Sequence, residues 1–414
     1  MAETTTVGRQ APNRIIRASI IVAALGYFVD IYDLVLFGIV RVVSLRELGL
    51  DDAAVLKEGL YLMNMQMGGM LIGGILWGVL GDRRGRLSVL FGSIAMYSIA
   101  NILNGMVGSV EQYAWLRLIA GIGLAGELGA GITLVSEIMS KETRGYGTAI
   151  VASVGILGAV AAFFVGAEFD WRVAYYVGGG LGLALLILRI GVYESGMFSA
   201  VRMREVSRGN FFSLFTSRER FVKYMKCILI GMPTWYVVGI LVMLSKELGS
   251  ELGVHPVPDP GRAVMFCYIG LAAGDLASGV LSQLLQSRRK VMLIFLLMTS
   301  SVVSFYLLSR DLTLDQFYMV CGALGFSAGF WAVFVTIGSE QFGTNIRATV
   351  TTTVPNFVRG ALVPITLAFQ ALIPSVGIVA AAGIVGAATI AIALGALAFL
   401  EETHGKDLDY IEVS

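Results

Sequence analysis

Twelve stretches of roughly 20 mostly apolar residues run through this chain, and that length matches the hydrocarbon core of a bilayer. They fall at about 18–40, 58–80, 89–108, 112–135, 148–168, 173–193, 222–246, 262–286, 291–309, 315–339, 350–373 and 376–400. In lipid a segment must satisfy its own backbone hydrogen bonds, so runs of this length are expected to be transmembrane helices. Composition agrees: 56% of the 414 residues are hydrophobic and 14% charged, where average soluble domains are about 25% charged. The mean hydropathy is +0.78, and 51 glycines suit closely packed membrane helices. A net charge of +1 gives no electrostatic case for nucleic acid. Three cysteines and two histidines are too few for a disulfide framework or a histidine-rich metal site. Cys227, Cys267 and Cys321 read as small hydrophobes, and His255 and His404 lie outside the spans, against a histidine proton relay. No P-loop, nucleophile elbow or H-E-x-x-H occurs, so neither ATP-driven transport nor hydrolysis is supported. No cofactor, no metal and no enzyme activity are expected.

Polar Met1–Asn13 and the basic Arg14 and Arg17 precede the first run, which is too long for a signal peptide and lacks an A-x-A-type cleavage site. It reads as an uncleaved first helix. With a cytoplasmic N-terminus, 20 of the 30 Lys and Arg fall in cytoplasmic segments and 7 in outer loops, while Arg117, Arg189 and Arg359 lie within spans. That bias obeys the positive-inside rule and places both termini in the cytoplasm. The absence of any N-x-[ST] sequon fits a bacterial inner membrane. The longest non-apolar stretch divides the chain into a six-helix bundle at 1–193, a cytoplasmic linker at 194–220, a second bundle at 221–400 and a tail at 401–414. In the linker, Arg202, Arg204 and Arg208 alternate with Phe211, Phe212, Leu214 and Phe215, which suits interfacial helices or a solvated linker with aromatic anchors.

A shift of 203 residues lays the chain on itself. It aligns Thr133-Leu-Val-Ser136-Glu137 with Thr336-Ile-Gly-Ser339-Glu340, Arg144 with Arg347, Thr148 with Thr351, and Ala125-Gly126 with Ala328-Gly329. Arg86-Leu-Ser-Val-Leu90 falls on Arg289-Lys-Val-Met-Leu293 under the same shift. Two parallel six-helix halves related by an axis along the membrane normal would produce such a repeat.

Gly73-Gly-Ile-Leu-Trp-Gly78-Val-Leu-Gly81-Asp82-Arg83-Arg84-Gly85-Arg86, between the second and third spans, resembles the G-x-x-x-D-R-x-G-R signature of the major facilitator superfamily. Glu137…Arg144-Gly145 and Glu340…Arg347-Ala348 resemble the paired E-x6-R-G/A signatures of its sugar-porter and organic-ion branches. The tail Glu401-Glu402-Thr403-His404-Gly405…Leu408 resembles their P-E-T-x-G-x-x-L, with Glu401 in place of the proline, and Glu194-Ser195 resembles P-E-S without its proline. The resemblance implies an all-α membrane protein of twelve helices in two pseudo-symmetric halves. It also implies a cytoplasmic charge network that locks the halves, assigned here to Asp82, Arg83, Arg86, Glu137, Arg144, Glu340 and Arg347. Val29-Asp30-Ile31-Tyr32-Asp33…Phe37-Gly38 resembles the E-W-Y-D-F…Y-G segment of the metabolite:proton symporters. Arg117…Gly121…Ala125-Gly126-Glu127-Leu128-Gly129 resembles their R-x-x-x-G…G-G-E-W-G, with Leu128 replacing the tryptophan.

Ionisable groups in hydrocarbon are costly and are functional candidates by default. They are Asp30, Asp33, Arg117, Glu127, Asp275 and Arg359, with Arg189 nearer a helix end. Counted from the span ends, Asp33 and Arg117 lie at similar depth, about 10 and 7 Å at 1.5 Å per residue. A pair between them is expected, in which protonating Asp33 would free Arg117 to hold an anion; a static pair that fixes packing is the alternative. Asp30 shares a helical face with Asp33, so the two carboxylates would share a proton or Asp30 would be a bystander. Glu127 is either a relay or a packing residue. Arg359 either neutralises Asp275 or grips a substrate carboxylate or phosphate through its planar fork; the second is preferred. Pro233-Thr234-Trp235-Tyr236 and Pro355-Asn356 are expected to interrupt helices seven and eleven. Asn64, Gln66, Trp235, Tyr236, Trp331, Asn356 and Gln370 are candidate cavity linings that could equally be packed side chains. Helix seven lacks the sugar porters' Q-Q-x-x-G-x-N, against a sugar substrate.

The expected protein is a monomeric secondary transporter that moves a small organic anion, a carboxylate for preference, with protons by alternating access. Its partners are the substrate, the proton and the lipid bilayer. An uncoupled facilitator or exchanger is the rival within the class, and a non-transporting receptor the rival outside it.

Overall fold

A computed structural model describes residues 13–84, 86–127, 144–194 and 211–405, with the side chains at 13–19, 81–84, 86–88, 144–150, 152–153, 191–194, 344–345 and 348 left out. Among these residues the chain is helical throughout and contains no strand. The first half holds α1 (Asn13–Glu47), α2 (Asp52–Arg84), α3 (Arg86–Asn104), α4 (Val110–Leu124), α5 (Arg144–Glu168) and α6 (Trp171–Glu194). After a short 3-10 turn at Phe211–Phe215 come α7 (Arg218–Tyr236), the short α8 (Ser245–Glu251), α9 (Pro260–Leu284), α10 (Arg288–Leu308), α11 (Leu314–Ala328) and α12 (Trp331–Glu340). The bundle closes with α13 (Thr344–Gly360), α14 (Leu362–Val376) and α15 (Ile378–Ala398). Every apolar run coincides with one of these helices or with a consecutive pair, though the fourth run is described only to Glu127. Nine described helical stretches are long and apolar enough to cross a bilayer.

Local chemistry sets where the helices begin. Ser109, Asp259, Ser287 and Thr313 each accept a hydrogen bond from a backbone N–H of the first turn that follows, offsetting one of the donors that a helix start leaves orphaned. Pro260 opens α9, where its missing N–H costs nothing. The helices are joined with little bulk between them. Gly69 and Gly73 of α2 lie against the Leu118 and Ile122 carbonyls of α4, and Gly270 and Gly274 of α9 lie likewise against the Gly322 and Phe326 carbonyls of α11. A Cβ at any of the four would collide with backbone, so the small-xxx-small spacing sets both helix pairs. The same device in each half is the repeat in three dimensions.

Four expectations about helix ends need correction. α1 runs to Glu47 and α2 starts at Asp52, so Arg41, Arg46 and Lys57 are helical and the depth counts from residue 40 were too shallow. Apolar runs report hydrocarbon, and these helices extend past it. The tenth run is two helices, broken at Gly329–Phe330, one residue after the Ala328 that repeats Ala125, where α4 also ends. Pro233 sits inside α7; the irregularity comes after it, in the wider turn Val237–Val242, where Met243 N–H reaches back five residues to the Val238 carbonyl at 3.0 Å. Pro355 sits inside α13, and the break follows at Gly360–Ala361. In both cases the chain departs from regular helix about one turn beyond the proline.

Candidate site at the seam between the halves

The break after α13 places Arg359 in that helix's last turn, where the partial negative charge of the carbonyl end favours a cation. The break before α12 places Trp331 at its first residue. Arg359, set between Trp331 and Trp235 of α7, meets Asp30 of α1 on the far side of the seam. Arg359 Nη2 lies 3.7 Å from Asp30 Oδ2, and both residues are buried. The guanidinium carbon is 5.8 Å from the Trp235 ring centroid and 5.9 Å from that of Trp331, within cation–π range. The pair is an ion contact without a hydrogen bond: neither Asp30 oxygen has a partner, and Arg359 Nε and Nη1 are also unspent. Each edge of the guanidinium pairs one of these open donors with Nη2, so a planar group between two indoles that exchanges Asp30 for a ligand suits a flat carboxylate.

The Arg359–Asp275 alternative is not what forms. Asp275 accepts from the Ala332 N–H at 3.1 Å, capping the helix start that the Gly329 break creates. Nor does Asp33 pair with Arg117. Arg117 donates to Gln66 Oε1 and to the Tyr175 hydroxyl at 3.5 Å, and stacks 4.8 Å from the Phe37 ring. Tyr175 is in turn bonded to Tyr113 at 2.6 Å. With its donors turned to Gln66 and Tyr175, the arginine forms no ion pair with Asp33, whose two buried oxygens have no hydrogen-bond partner. Asp30 and Asp33 share one face of α1, as expected, but Asp30 alone reaches Arg359.

Glu127 forms a double hydrogen bond with Arg189 of α6, one arm at 3.0 Å, against Gly26 of α1. Arg189, set aside in the sequence as lying near a helix end, is the partner that explains it. Asn356 Nδ2 donates to the Ala125 carbonyl at 2.9 Å, tying the second half to the broken end of α4. Asn64 Oδ1 accepts from the Thr366 hydroxyl at 2.5 Å, another tie across the seam. Tyr236 faces α15, donating to the Ala382 carbonyl at 2.8 Å, and so stands apart from Arg359. Gln370 is half-buried on α14.

Of the expected locking residues, Glu340 and Arg347 are described. Glu340 meets Arg288 at 3.4 Å and accepts from the Thr403 hydroxyl at 2.7 Å, while Arg347 Nε donates to the Ser339 and Phe342 carbonyls. The Glu137 position and the side chains of Asp82, Arg83, Arg86 and Arg144 lie outside the described residues. Glu402 adds a contact beyond the signature residues: it accepts from the Ser287 hydroxyl and from the Arg288 and Arg289 amides. Burial raises its carboxyl, but these bonds and the His404 amide outweigh that and hold it at about 2. A depressed carboxyl contributes binding that is complete above its free value of 4.5 and lost on descent through the folded value. The tail is therefore expected to stay docked at pH 5 and to release as pH falls towards 2. Hydrogen exchange of the Thr403 and His404 amides against pH measures this; release already at pH 5 would contradict it.

At the opposite end, where α1 meets α2, an unforeseen bridge crosses the seam. Arg41 pairs with Glu247 of α8 at 2.7 Å and also donates to the carbonyls of Met243 and Val55. Lys246 meets Asp52 at 3.1 Å beside it. A first apolar run that ends near residue 40 predicts an outer loop for Arg41, where a charge needs no partner. Glu247→Gln is expected to lower stability by up to about 3 kcal/mol, because it strands a buried arginine. Arg41→Gln/Glu247→Gln should recover most of the loss in thermal unfolding in detergent, and an unchanged melting temperature in Glu247→Gln would refute the bridge.

A membrane-spanning bundle of two repeated halves, with buried opposite charges meeting where the halves face each other, defines a transporter rather than an enzyme. The sequence matches the Major Facilitator Superfamily over residues 19–363, and the chain belongs to it. Among its relatives, a probable 4-methylmuconolactone transporter of Cupriavidus pinatubonensis is 28% identical over 78% of this chain and 76% of its own length. The 3-(3-hydroxy-phenyl)propionate transporter of Escherichia coli is 27% identical over 75% and 80%. The fold is that of a proton:xylose symporter solved with 6-bromo-6-deoxy-D-glucose, with a TM-score of 0.67 and 17% identity, covering 96% of this chain and 98% of the other.

Proposed function

We propose that this transporter carries a small cyclic or aromatic carboxylate together with protons by alternating access. The proposed setting is a bacterial inner membrane, with both termini cytoplasmic and the α1–α2 end outside. The observation that carries the reading is the Arg359–Asp30 contact with its open donors between Trp235 and Trp331. The relatives named for organic acids support the substrate class.

An incoming carboxylate displaces Asp30 from Nη2 of Arg359 and pairs that nitrogen with the open Nε or Nη1 beside it, with its ring against an indole. Drawing Arg359 away leaves Asp30 a buried carboxylate without a counterion, one turn from Asp33. Two such buried groups one turn apart resist being ionised together, so a proton is held with the substrate. Asp33 is the leading proton site, because no arginine occupies it. Arg117, anchored on Gln66 and Tyr175, sets the charge balance around it. Glu127 with Arg189 is a structural post that positions α1 through Gly26, the packing alternative of the two considered. Arg41–Glu247 bridges the outer end of the seam, and the Glu340 cluster belongs to the inner lock.

The reading is tested in proteoliposomes with an inward proton gradient, offering 3-(3-hydroxyphenyl)propionate, nicotinate, benzoate and xylose, with protein-free vesicles as background. Gradient-driven accumulation of at least one acid and none of xylose is expected. Counterflow of the acids without accumulation would establish an uncoupled exchanger instead, and binding without flux a receptor.

A further inference from the structure

One face of α3 carries Ser98, Asn101 and Asn104 at three-residue spacing, with Tyr97 beside them, and all four are buried. Ser98 Oγ, Tyr97 Oη and both polar atoms of each asparagine have no hydrogen-bond partner. Polar side chains in such a place each cost about 1–3 kcal/mol if left unsatisfied. A leucine of similar size would avoid that cost, so three polar residues in file point to a polar guest.

The file leads to Asp33. Gly178 of α6 packs on the Asp33 carboxylate, while Gly182, one turn further along the same helix, packs on Ser98 and Tyr97. Asp33 and Ser98 therefore lie within about 6 Å along α6. Asn101 lies beside Asp33 without reaching hydrogen-bond geometry. Asn104 is the last residue of α3, at the same end of the bundle as Arg41, and about 9 Å separates it from Ser98 along the helix. The other charged or titratable groups facing Asp33 are Asp30 on its own helix, Arg117 on α4, Tyr97 on α3, and Tyr32 and Tyr175. None of them hydrogen-bonds to Ser98, Asn101 or Asn104 through its side chain.

We propose that Ser98, Asn101 and Asn104 line a hydrated proton entry to Asp33, running inside the first half and separate from the substrate seam. A buried water needs two to four polar partners, and three successive side chains with open donors and acceptors supply them. Protons then reach Asp33 through the first six helices while the seam is bridged by Arg41 and Glu247. The entry rests on the proton-coupled reading of Asp33 given above.

Asn101→Leu and Asn104→Leu fill the file with hydrocarbon, whereas Asn101→Ser keeps both room and a hydroxyl. The measurement is 3-(3-hydroxyphenyl)propionate transport in proteoliposomes, as accumulation driven by a proton gradient and as counterflow at symmetric pH. Each leucine variant is expected to lose at least tenfold in the initial rate of accumulation while counterflow persists, and Asn101→Ser to recover most of the accumulation. Wild-type accumulation rates in both leucine variants would overturn the entry and leave proton coupling intact. So would loss of counterflow in both, which makes the face structural, or failure of Asn101→Ser to recover. If the wild-type protein itself shows no gradient-driven accumulation, the coupling reading fails and the entry with it.

Discussion

Arg359→Lys is expected to weaken apparent affinity for the transported acid roughly 30- to 150-fold while leaving the protein folded. A lysine keeps the positive charge beside Asp30, so the buried carboxylate is not stranded. It loses the planar fork that offers Nη2 and a neighbouring nitrogen to a carboxylate together, worth about 2–3 kcal/mol for a charge-assisted pair, which converts to that range of affinity. Arg359→Leu is expected to do something different. Asp30 has no hydrogen-bond partner to fall back on, so removing its counterion costs about 3–5 kcal/mol of stability. Asp30→Asn/Arg359→Leu should regain the fold without regaining uptake. Concentration dependence of initial uptake, paired with thermal unfolding, separates these effects. Wild-type affinity in Arg359→Lys would remove the guanidinium from the substrate site.

Breaking the Glu127–Arg189 pair is expected to cost as much stability as stranding Asp30. Both side chains are nearly sealed, at 2% and 7% exposure, and the two hydrogen bonds between them leave little for either partner to turn to. Glu127→Leu or Arg189→Met alone should cost about 3–5 kcal/mol, visible as a lowered melting temperature and poor yield. The double variant replaces both charges by hydrocarbon and is expected to melt at or above the wild type. Because the pair is assigned to holding α1, the double variant should also keep gradient-driven accumulation. A double variant that is stable yet uncoupled would return Glu127 to a proton relay, and a stable Glu127→Leu would contradict the pairing itself.

The architecture was legible because its signals are local and repeated. Apolar run length marks a span wherever it occurs, and the shift of 203 residues that aligned Ala125-Gly126 with Ala328-Gly329 turned out to mark the matched ends of α4 and α11. The site was legible only as a list of members. Asp30 and Arg359 stood out separately as charges in hydrocarbon, but they are 329 residues apart and nothing periodic connects them. Arg117 illustrates why depth counting fails to choose partners. Its donors go to Gln66 and Tyr175 on α2 and α6, and only the packing of those helices around α4 decides that. Arg41 was missed for a related reason: an apolar run stops at the hydrocarbon edge, whereas α1 continues to Glu47 and carries Arg41 into contact with α8. The prolines misled by about one turn, since the ring disturbs the helix but neighbouring packing decides where it opens.

The central claim is that Asp33 binds the proton that travels with the acid. The direct measurement is internal acidification of proteoliposomes loaded with a pH dye when 3-(3-hydroxyphenyl)propionate is added outside at symmetric pH, corrected for protein-free vesicles. Wild-type protein is predicted to acidify the lumen in step with uptake, and Asp33→Asn to abolish the proton signal while counterflow of the acid continues. Equal acidification by Asp33→Asn and wild type would contradict the account.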